Sequence, residues 1–205
     1  MTSLIPPQII TRNEIEFILN KIAPIGDNST RLQIKNPKPY QTAFVHKSYL
    51  VSENGGITGN AAAKTCFESS NEVPEYLGDG FIGAIVGKYL VDRFEGEQEG
   101  FLTKTRTRLV RSSMLYRFAR FLMLGKFLLL SQQVERLTLL GPNKGRNNPK
   151  FYEDCFEAFV GAIISDFGDE EGYRYAKRFV VSIIEHIVDF AEIILCNENH
   201  KDVLQ

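Results

Sequence analysis

The sequence contains no tryptophan, and only three cysteines and three histidines occur among its 205 residues. The cysteines, Cys66, Cys155 and Cys196, have no paired spacing. The first residues, MTSLIPPQII, lack the basic and apolar stretches of a secretion signal. Reduced thiols in an intracellular protein, cytoplasmic or nuclear, are therefore expected.

The scarcity of histidine excludes two classes of helical enzyme. A di-iron carboxylate bundle needs Glu-x-x-His pairs, and no histidine in this chain has a glutamate three residues before it. The His-Asp doublet that is common in helical phosphohydrolases is absent as well. A carboxylate site without histidine ligands remains open.

An excess of positive charge is also missing. The net charge is −1, with 43% apolar and 24% charged residues, which is the composition of an ordinary globular domain. A polyanionic partner would therefore have to be held by a local basic patch or by metal ions.

Long apolar runs are absent, because the most apolar stretch, residues 179–195, carries polar residues every three or four positions. This spacing indicates an amphipathic helix and not a membrane span, and no membrane partner is expected. No alternation typical of a β-strand is convincing, so the predicted fold class is all-α. Helices are predicted over residues 11–22, 40–51, 72–94, 101–124, 126–133, 149–167 and 170–196. A connector is expected at 23–39, and loops are expected at 52–70 and 139–148.

Two predicted helices carry acidic residues among apolar ones. Glu72, Glu75 and Asp79 are spaced i, i+3 and i+7, and Asp154 and Glu157 are spaced i, i+3, so each set shares one helix face. Either set alone is typical of a solvated face. Gly78 and Gly83 in the first helix, with Gly161 in the second, would let the two acidic faces approach. Oxygen donors without histidine or cysteine suit Mg²⁺ or Mn²⁺.

Four segments resemble the ribonuclease III family. NEVPEYLGDG (71–80) is similar to the family's signature, and DCFEAFVGAII (154–164) is similar to its second acidic motif. TAFVHKSYL (42–50) and EGFLTKTRTRLVRSSMLYRFARFLMLG (99–125) resemble two further segments. The resemblance covers residues 40–182 in the family's order. It implies an all-α ribonuclease III endonuclease fold that is dimeric, with a catalytic valley shared by two subunits.

The resemblance also implies an activity and its residues. The activity is metal-dependent cleavage of double-stranded RNA to 5′-phosphate and 3′-hydroxyl ends, with two Mg²⁺ ions for which Mn²⁺ can substitute. The implied metal ligands are Glu72, Glu75, Asp79, Asp154 and Glu157. The implied catalytic residues are Asp79, Glu157 and Lys150, although Lys150 in a first helical turn is equally consistent with a solvated side chain. Tyr76 and Leu77 would lie at the dimer interface.

Four basic residues are candidates for RNA contact. Lys144 and Arg146 precede the second acidic helix in a glycine-rich loop, and Lys104 and Arg108 share one face of the predicted helix 101–124. The alternative for Lys104 and Arg108 is pairing with nearby glutamates or exposure to water.

The expected domain organisation is an N-terminal extension (1–39), a ribonuclease III-like endonuclease domain (40–196) and a C-terminal tail (197–205). No double-stranded-RNA-binding domain is expected in the chain, and a protein partner that supplies extra RNA binding is a further expectation. The alternative function is a non-catalytic ribonuclease III-fold protein that acts as an RNA-binding or ribosomal scaffold.

Overall fold

The structure is a computed structural model that describes residues 8–21, 31–50 and 67–198, with side chains to residue 194. The described residues form the following α-helices: α1 (Arg12–Lys21), α2 (Lys38–Thr42), α3 (Lys47–Leu50), α4 (Glu72–Arg93), α5 (Glu99–Leu109), α6 (Ser112–Phe121), α7 (Gln132–Leu137), α8 (Pro149–Phe167), α9 (Asp169–Ile187) and α10 (Phe190–Glu198). Short 3₁₀ helices lie at Leu124–Phe127, Thr138–Leu140 and Gly145–Asn147. In place of strands, this part of the chain has one isolated parallel bridge, between Val45 and Leu129. The all-α prediction is confirmed.

Helix α8 is the centre of the fold. It packs against α2, α4, α6 and α9, and its contact with α4 is the most extensive in the described structure. Almost the whole segment from Cys155 to Ile164 is buried, so α8 has core on nearly every side. The predicted beginning and end of α8 are confirmed. The Asn148 side chain accepts a hydrogen bond from the Lys150 N–H, Pro149 is the first helical residue, and Gly168 ends the helix at φ +81°.

Helix α4 begins at Glu72, as predicted. Asn71 occupies the position before the helix, but its side chain makes no capping hydrogen bond. Asn71 is instead buried, and its N–H donates to the Val45 carbonyl at 2.8 Å. The start of α4 is therefore fixed to the segment between α2 and α3.

The prediction of one helix over 101–124 is wrong, because the chain breaks into α5 and α6 at Arg111, whose backbone is extended. Leu109 and Met114 are both buried on either side of the break. On a continuous helix, residues five positions apart point about 140° away from each other. The break lets both side chains reach the same core.

Three other predicted boundaries are also corrected. The helix at 40–51 divides into α2 and α3, because Phe44 and His46 exchange backbone hydrogen bonds with Leu129. The helix at 126–133 is replaced by the 3₁₀ turn Leu124–Phe127, an extended stretch, and α7. The helix at 170–196 breaks before Asp189, whose carboxylate accepts a hydrogen bond from the Ala191 N–H and so starts α10. Most of the predicted 52–70 loop lies outside the described residues.

The hydrophobic core includes the N-terminal helix. Ile15 and Ile18 of α1 belong to the same buried cluster as Phe159 of α8 and Ile183 of α9. The division into residues 1–39, 40–196 and 197–205 stays a prediction. Among the described helices, none has the length and apolar character needed to cross a membrane.

Candidate metal centre

Helices α4 and α8 approach so closely that their backbones touch at two glycines. A Cβ atom on Gly78 would lie 1.8 Å from the Glu157 carbonyl oxygen, and one on Gly161 would lie 2.1 Å from the Pro74 carbonyl oxygen. No other residue type fits at these positions without moving a helix. Gly83, expected to help, has open space around its Cβ position. The approach predicted from the sequence is therefore made by Gly78 and Gly161.

This approach brings three carboxylates from the two helices together. Glu75 of α4 and Asp154 and Glu157 of α8 each contribute one oxygen atom, and the three oxygens lie within 4.8 Å of one another. Oxygens around one octahedral Mg²⁺ are at most about 4.2 Å apart. The spread of the three oxygens is therefore close to that of one Mg²⁺ coordination sphere.

The Asp154 and Glu157 carboxylates are shielded from water and that of Glu75 is partly shielded, and their acidities reflect it. Burial, followed by the neighbouring charges of Glu153, Asp79 and Glu75, raises the pKa of Glu157 to about 8. Burial and the charge of Asp154 raise the pKa of Glu75. Burial also raises the pKa of Asp154, although Lys150 opposes this shift. In the absence of a divalent ion, the site therefore carries less negative charge at neutral pH than three ionised carboxylates would.

Lys150 is the cation nearest to the cluster. Its Nζ atom lies 2.7 Å from Asp154 Oδ1 and 3.8 Å from Glu75 Oε1. Burial alone would lower the pKa of Lys150, but the Asp154 carboxylate outweighs burial and raises that pKa above its usual range. Although the distance is short, the buried Asp154 Oδ1 receives no hydrogen bond of normal geometry. This oxygen lacks a well-aligned donor, so a divalent ion in place of Lys150 would satisfy it better, which fits a metal ligand.

Glu72 and Asp79 lie at the two ends of the cluster on α4, outside the three-carboxylate group. Lys47 donates to Glu72 Oε1 at 3.1 Å and Ser70 donates to its other oxygen at 3.0 Å. These hydrogen bonds, led by the one from Lys47, lower the pKa of the exposed Glu72 carboxyl. Asp79 is exposed one turn beyond Glu75, and its charge acts on Glu157.

Comparison with known proteins agrees with this geometry. The family profile "Ribonuclease III domain" matches residues 72–168, which contain both acidic helices. "Ribonuclease 3" of Chlorobium chlorochromatii is 31% identical over 82% of this chain, and "Probable ribonuclease 3" of Acanthamoeba polyphaga mimivirus is 30% identical over 96% of it. The nuclease domain of ribonuclease III from Campylobacter jejuni has a TM-score of 0.63 and 27% identity, covering 86% of this chain and 97% of that domain. The chain belongs to the ribonuclease III family.

The relatives are longer than this chain. It spans 60% of the length of the Chlorobium protein and 35% of the mimivirus protein. The ribonuclease III nuclease domain is the part whose fold is shared, and the predicted fold is confirmed by the Campylobacter domain.

The basic residues expected to contact RNA fall into two groups. Lys104 and Lys144 are exposed. Arg108 is half-buried, and its Nη1 atom donates to the Ile193 carbonyl of α10 at 2.6 Å. Arg108 therefore joins two helices of the ribonuclease III fold, and RNA contact by it stays a prediction.

Arg146 lies inside the fold. It is 7% exposed, and it donates to the carbonyls of Gly125 and Leu128 at 2.7 and 2.8 Å. It also forms an ion pair with the carboxylate of Glu135 on α7. All of these partners are internal, so Arg146 anchors the loop before α8, and RNA contact by it stays a prediction. A glycine-rich, basic sequence cannot distinguish an arginine that points inward from one that points outward.

The residues expected at a ribonuclease III dimer interface lie on the outer side of α4. Tyr76 is 83% exposed and its neighbour on the helix surface, Val73, is 76% exposed, while Leu77 is half-buried against the core. Two large exposed apolar side chains one turn apart form a contiguous apolar surface.

Four polar residues at the site were not singled out by the sequence. Lys47 and Ser70 hold Glu72, and Glu153, which accepts a hydrogen bond from Ser112, lies 3.5 Å from Lys150 Nζ. A signal existed for Glu153 alone, because it is three residues from Lys150 on the same helix. Lys47, Ser70 and Ser112 reach the site from other segments, and no local pattern marks such contacts.

Proposed function

We propose that this chain is a Mg²⁺-dependent endoribonuclease that cleaves double-stranded RNA and leaves 5′-phosphate and 3′-hydroxyl ends. The observation that supports this function best is the meeting of Glu75, Asp154 and Glu157 from two helices within 4.8 Å, next to a lysine. The names of the ribonuclease III relatives agree with it.

In this proposal the cluster residues, with Glu72 and Asp79 beside them, hold divalent ions. Such ions lower the pKa of a bound water and neutralise charge on a phosphate, for which Mn²⁺ can replace Mg²⁺. Glu157 must give up the proton that its raised pKa favours before it can act as a ligand. Lys150 supplies positive charge at the edge of the site, where negative charge on the phosphate grows.

The closely packed α4–α8 pair orients these groups. The Gly78 and Gly161 contacts fix the spacing of the two acidic faces before RNA arrives. Preorganisation of this kind lowers the barrier because charged groups need not rearrange during the reaction. Lys104 and Lys144 are exposed and are proposed to contact RNA phosphates.

We further propose that the enzyme is a homodimer joined through the apolar surface of Val73, Tyr76 and Leu77. This surface lies on the same helix turns as Glu72 and Glu75, so pairing of two copies would place their sites along one face. The Campylobacter nuclease domain has a structurally flexible region that is involved in dimer formation of that protein. Sedimentation at micromolar concentration should give a dimer that Tyr76→Ala weakens, and a wild-type monomer would contradict the interface. A protein partner that adds RNA binding stays a prediction.

The deciding experiment is cleavage of a long RNA duplex in Mg²⁺. Glu157→Gln keeps the shape of the side chain but removes its charge, and it should lower the rate at least about a hundredfold, since even outer partners of metal ligands cost 10- to 100-fold. Glu170→Gln, on the exposed first turn of α9, is the matched control and should cleave normally.

The outcomes separate the two functions expected from the sequence. Cleavage by the wild type that is lost in Glu157→Gln supports the enzyme. Absence of cleavage, or equal cleavage by all three proteins, contradicts it. A non-catalytic scaffold predicts that the protein shifts duplex RNA in a gel when Ca²⁺ replaces Mg²⁺. It also predicts that no cleavage occurs in Mg²⁺.

A further inference from the structure

Lys150 is surrounded by three carboxylates, and only two of them belong to the metal cluster. Its Nζ atom lies 2.7 Å from Asp154, 3.5 Å from Glu153 and 3.8 Å from Glu75. Asp154 and Glu75 are members of the cluster, whereas Glu153 is not. The contact between Lys150 and Glu153 can therefore persist when the cluster binds an ion.

Glu153 is held in position by a second helix. The Ser112 hydroxyl, on the first residue of α6, donates to Glu153 Oε2 at 2.6 Å. The Glu153 side chain is 13% exposed, and the same Oε2 atom faces Lys150. A shielded carboxylate held by a hydroxyl is a fixed negative charge, because its rotation would break that hydrogen bond.

Lys150 and a divalent ion would draw on the same two carboxylates, those of Asp154 and Glu75. Mg²⁺ sits 2.0–2.1 Å from its ligand oxygens, and Asp154 Oδ1 already has Lys150 Nζ at 2.7 Å. A divalent ion and the Lys150 ammonium group on one carboxylate would repel each other. If Asp154 and Glu75 held an ion, that repulsion would favour withdrawal of Lys150 from both of them.

We propose that Glu153, fixed by Ser112, is a positioning residue that draws Lys150 away from Asp154 and Glu75 and retains it beside the site when a divalent ion binds. This inference rests on the proposed function. Glu153 acts through Lys150 and does not itself touch RNA or metal. Loss of its charge leaves Lys150 only the cluster carboxylates, so the lysine competes more strongly with the ion.

The test is a double-mutant cycle on metal binding without RNA. Mn²⁺ affinity is measured by calorimetry for the wild type, Glu153→Gln, Lys150→Met and the double variant. Glu153→Gln should weaken Mn²⁺ binding roughly threefold when Lys150 is present, the size expected for a partly exposed ion pair. In the Lys150→Met background the same change should have an effect below about 1.5-fold, because the competing cation is gone.

Two further variants complete the design. Glu170→Gln removes an exposed charge elsewhere and should leave Mn²⁺ affinity unchanged. Ser112→Ala keeps the Glu153 charge but removes the hydrogen bond that holds the side chain. It should therefore weaken Mn²⁺ binding, but by less than Glu153→Gln does. If Glu153→Gln does not fold, the same cycle can be made with Ser112→Ala and Lys150→Met.

In duplex cleavage at saturating Mg²⁺, Glu153→Gln should lower kcat and leave KM for RNA unchanged.

Equal weakening by Glu153→Gln in both backgrounds would overturn the proposal, because the carboxylate would then act on the ion directly. Unchanged affinity in Glu153→Gln would overturn it as well. Absence of Mn²⁺ binding by the wild type would instead overturn the proposed function, so the two failures are distinguishable.

Discussion

Gly78→Ala should disrupt both the fold and the metal centre with a single methyl group. The added Cβ would lie 1.8 Å from the Glu157 carbonyl oxygen and 3.0 Å from the Gly161 backbone nitrogen. The obstructing atoms belong to the backbone of a buried helix, so no side-chain rotation can relieve the clash. The helices would have to separate by on the order of 1.5 Å before the contact became an ordinary one.

The expected loss of stability follows from that separation. Overpacking in a well-packed core costs about 1–3 kcal/mol, and this site belongs at the upper end because a backbone must move. Replacing a mid-helix glycine by alanine returns only about 1 kcal/mol through helix propensity. A net loss of about 2 kcal/mol would lower Tm by roughly 4–8 °C for a domain of this size.

The same movement carries Glu75 away from Asp154 and Glu157, whose oxygens already span 4.8 Å. Mg²⁺ and Mn²⁺ sites tolerate little deviation in ligand distance, so Mn²⁺ affinity should fall at least about tenfold. Urea unfolding and Mn²⁺ calorimetry measure the two effects on one sample.

Gly87→Ala is the matched control on the same helix. Its Cβ would meet only the Arg106 side chain, at 3.9 Å, which is an ordinary contact. This variant should be about 0.5–1 kcal/mol more stable than the wild type, with unchanged Mn²⁺ affinity. If both alanine variants have the same stability and bind Mn²⁺ equally well, the close approach does not build the site, and the reasoning is refuted.

Two other predictions concern pH and the basic loop. With a chelator present, the free energy of unfolding should fall as pH rises from about 4.5 to 8. The pKa of Glu157 is about 8 in the folded protein and 4.5 in the unfolded chain, so the folded state binds this proton more tightly. The proton therefore stabilises the fold at low pH, and this contribution is lost as pH rises. Urea unfolding at about pH 5.5 and 8.5 should show a smaller fall for Glu157→Gln, and an identical fall would contradict this assignment. In the loop before α8, Lys144→Ala should weaken duplex RNA binding and reduce its salt dependence by about one unit without changing stability. Arg146→Met should instead lower the free energy of unfolding by about 3–5 kcal/mol, because it leaves the shielded Glu135 without its partner. Weaker RNA binding by Arg146→Met without a loss of stability, or a loss of stability in Lys144→Ala without weaker RNA binding, would contradict these assignments.

The two acidic helices were predictable because local chemistry specifies them. Asn148, Pro149 and Gly168 mark the ends of α8, and the i, i+3 spacing of its acids fixes the face they share. The approach through Gly78 and Gly161 was also inferable, since glycine beside an acidic face permits close packing. Gly83 shows the limit of that inference: nothing in the sequence distinguishes a glycine at a helix crossing from one beside open space.

What the sequence did not reveal depends on contacts between distant segments. The break at Arg111 arises because Leu109 and Met114 must reach one core, which a local helical pattern does not encode. Arg146 points inward because three acceptors from residues 125–135 converge on it. Helical propensity and charge describe a residue's neighbours along the chain, whereas these outcomes are decided by its neighbours in space.

The candidate metal centre combines two ways of tolerating carboxylates that are packed together. A raised pKa lets Glu157 carry a proton near neutral pH, and Lys150 supplies a positive charge to Asp154. Both compensate less negative charge than a divalent ion would. A proton neutralises a single carboxylate, and Lys150 faces Asp154 Oδ1 without an aligned hydrogen bond. Because backbone contacts at Gly78 and Gly161 hold α4 and α8 together, separation of the helices cannot reduce the repulsion between these carboxylates. In the proposed function, a bound divalent ion would relieve this repulsion further, and the position of Lys150 after ion binding is what Glu153 is proposed to control.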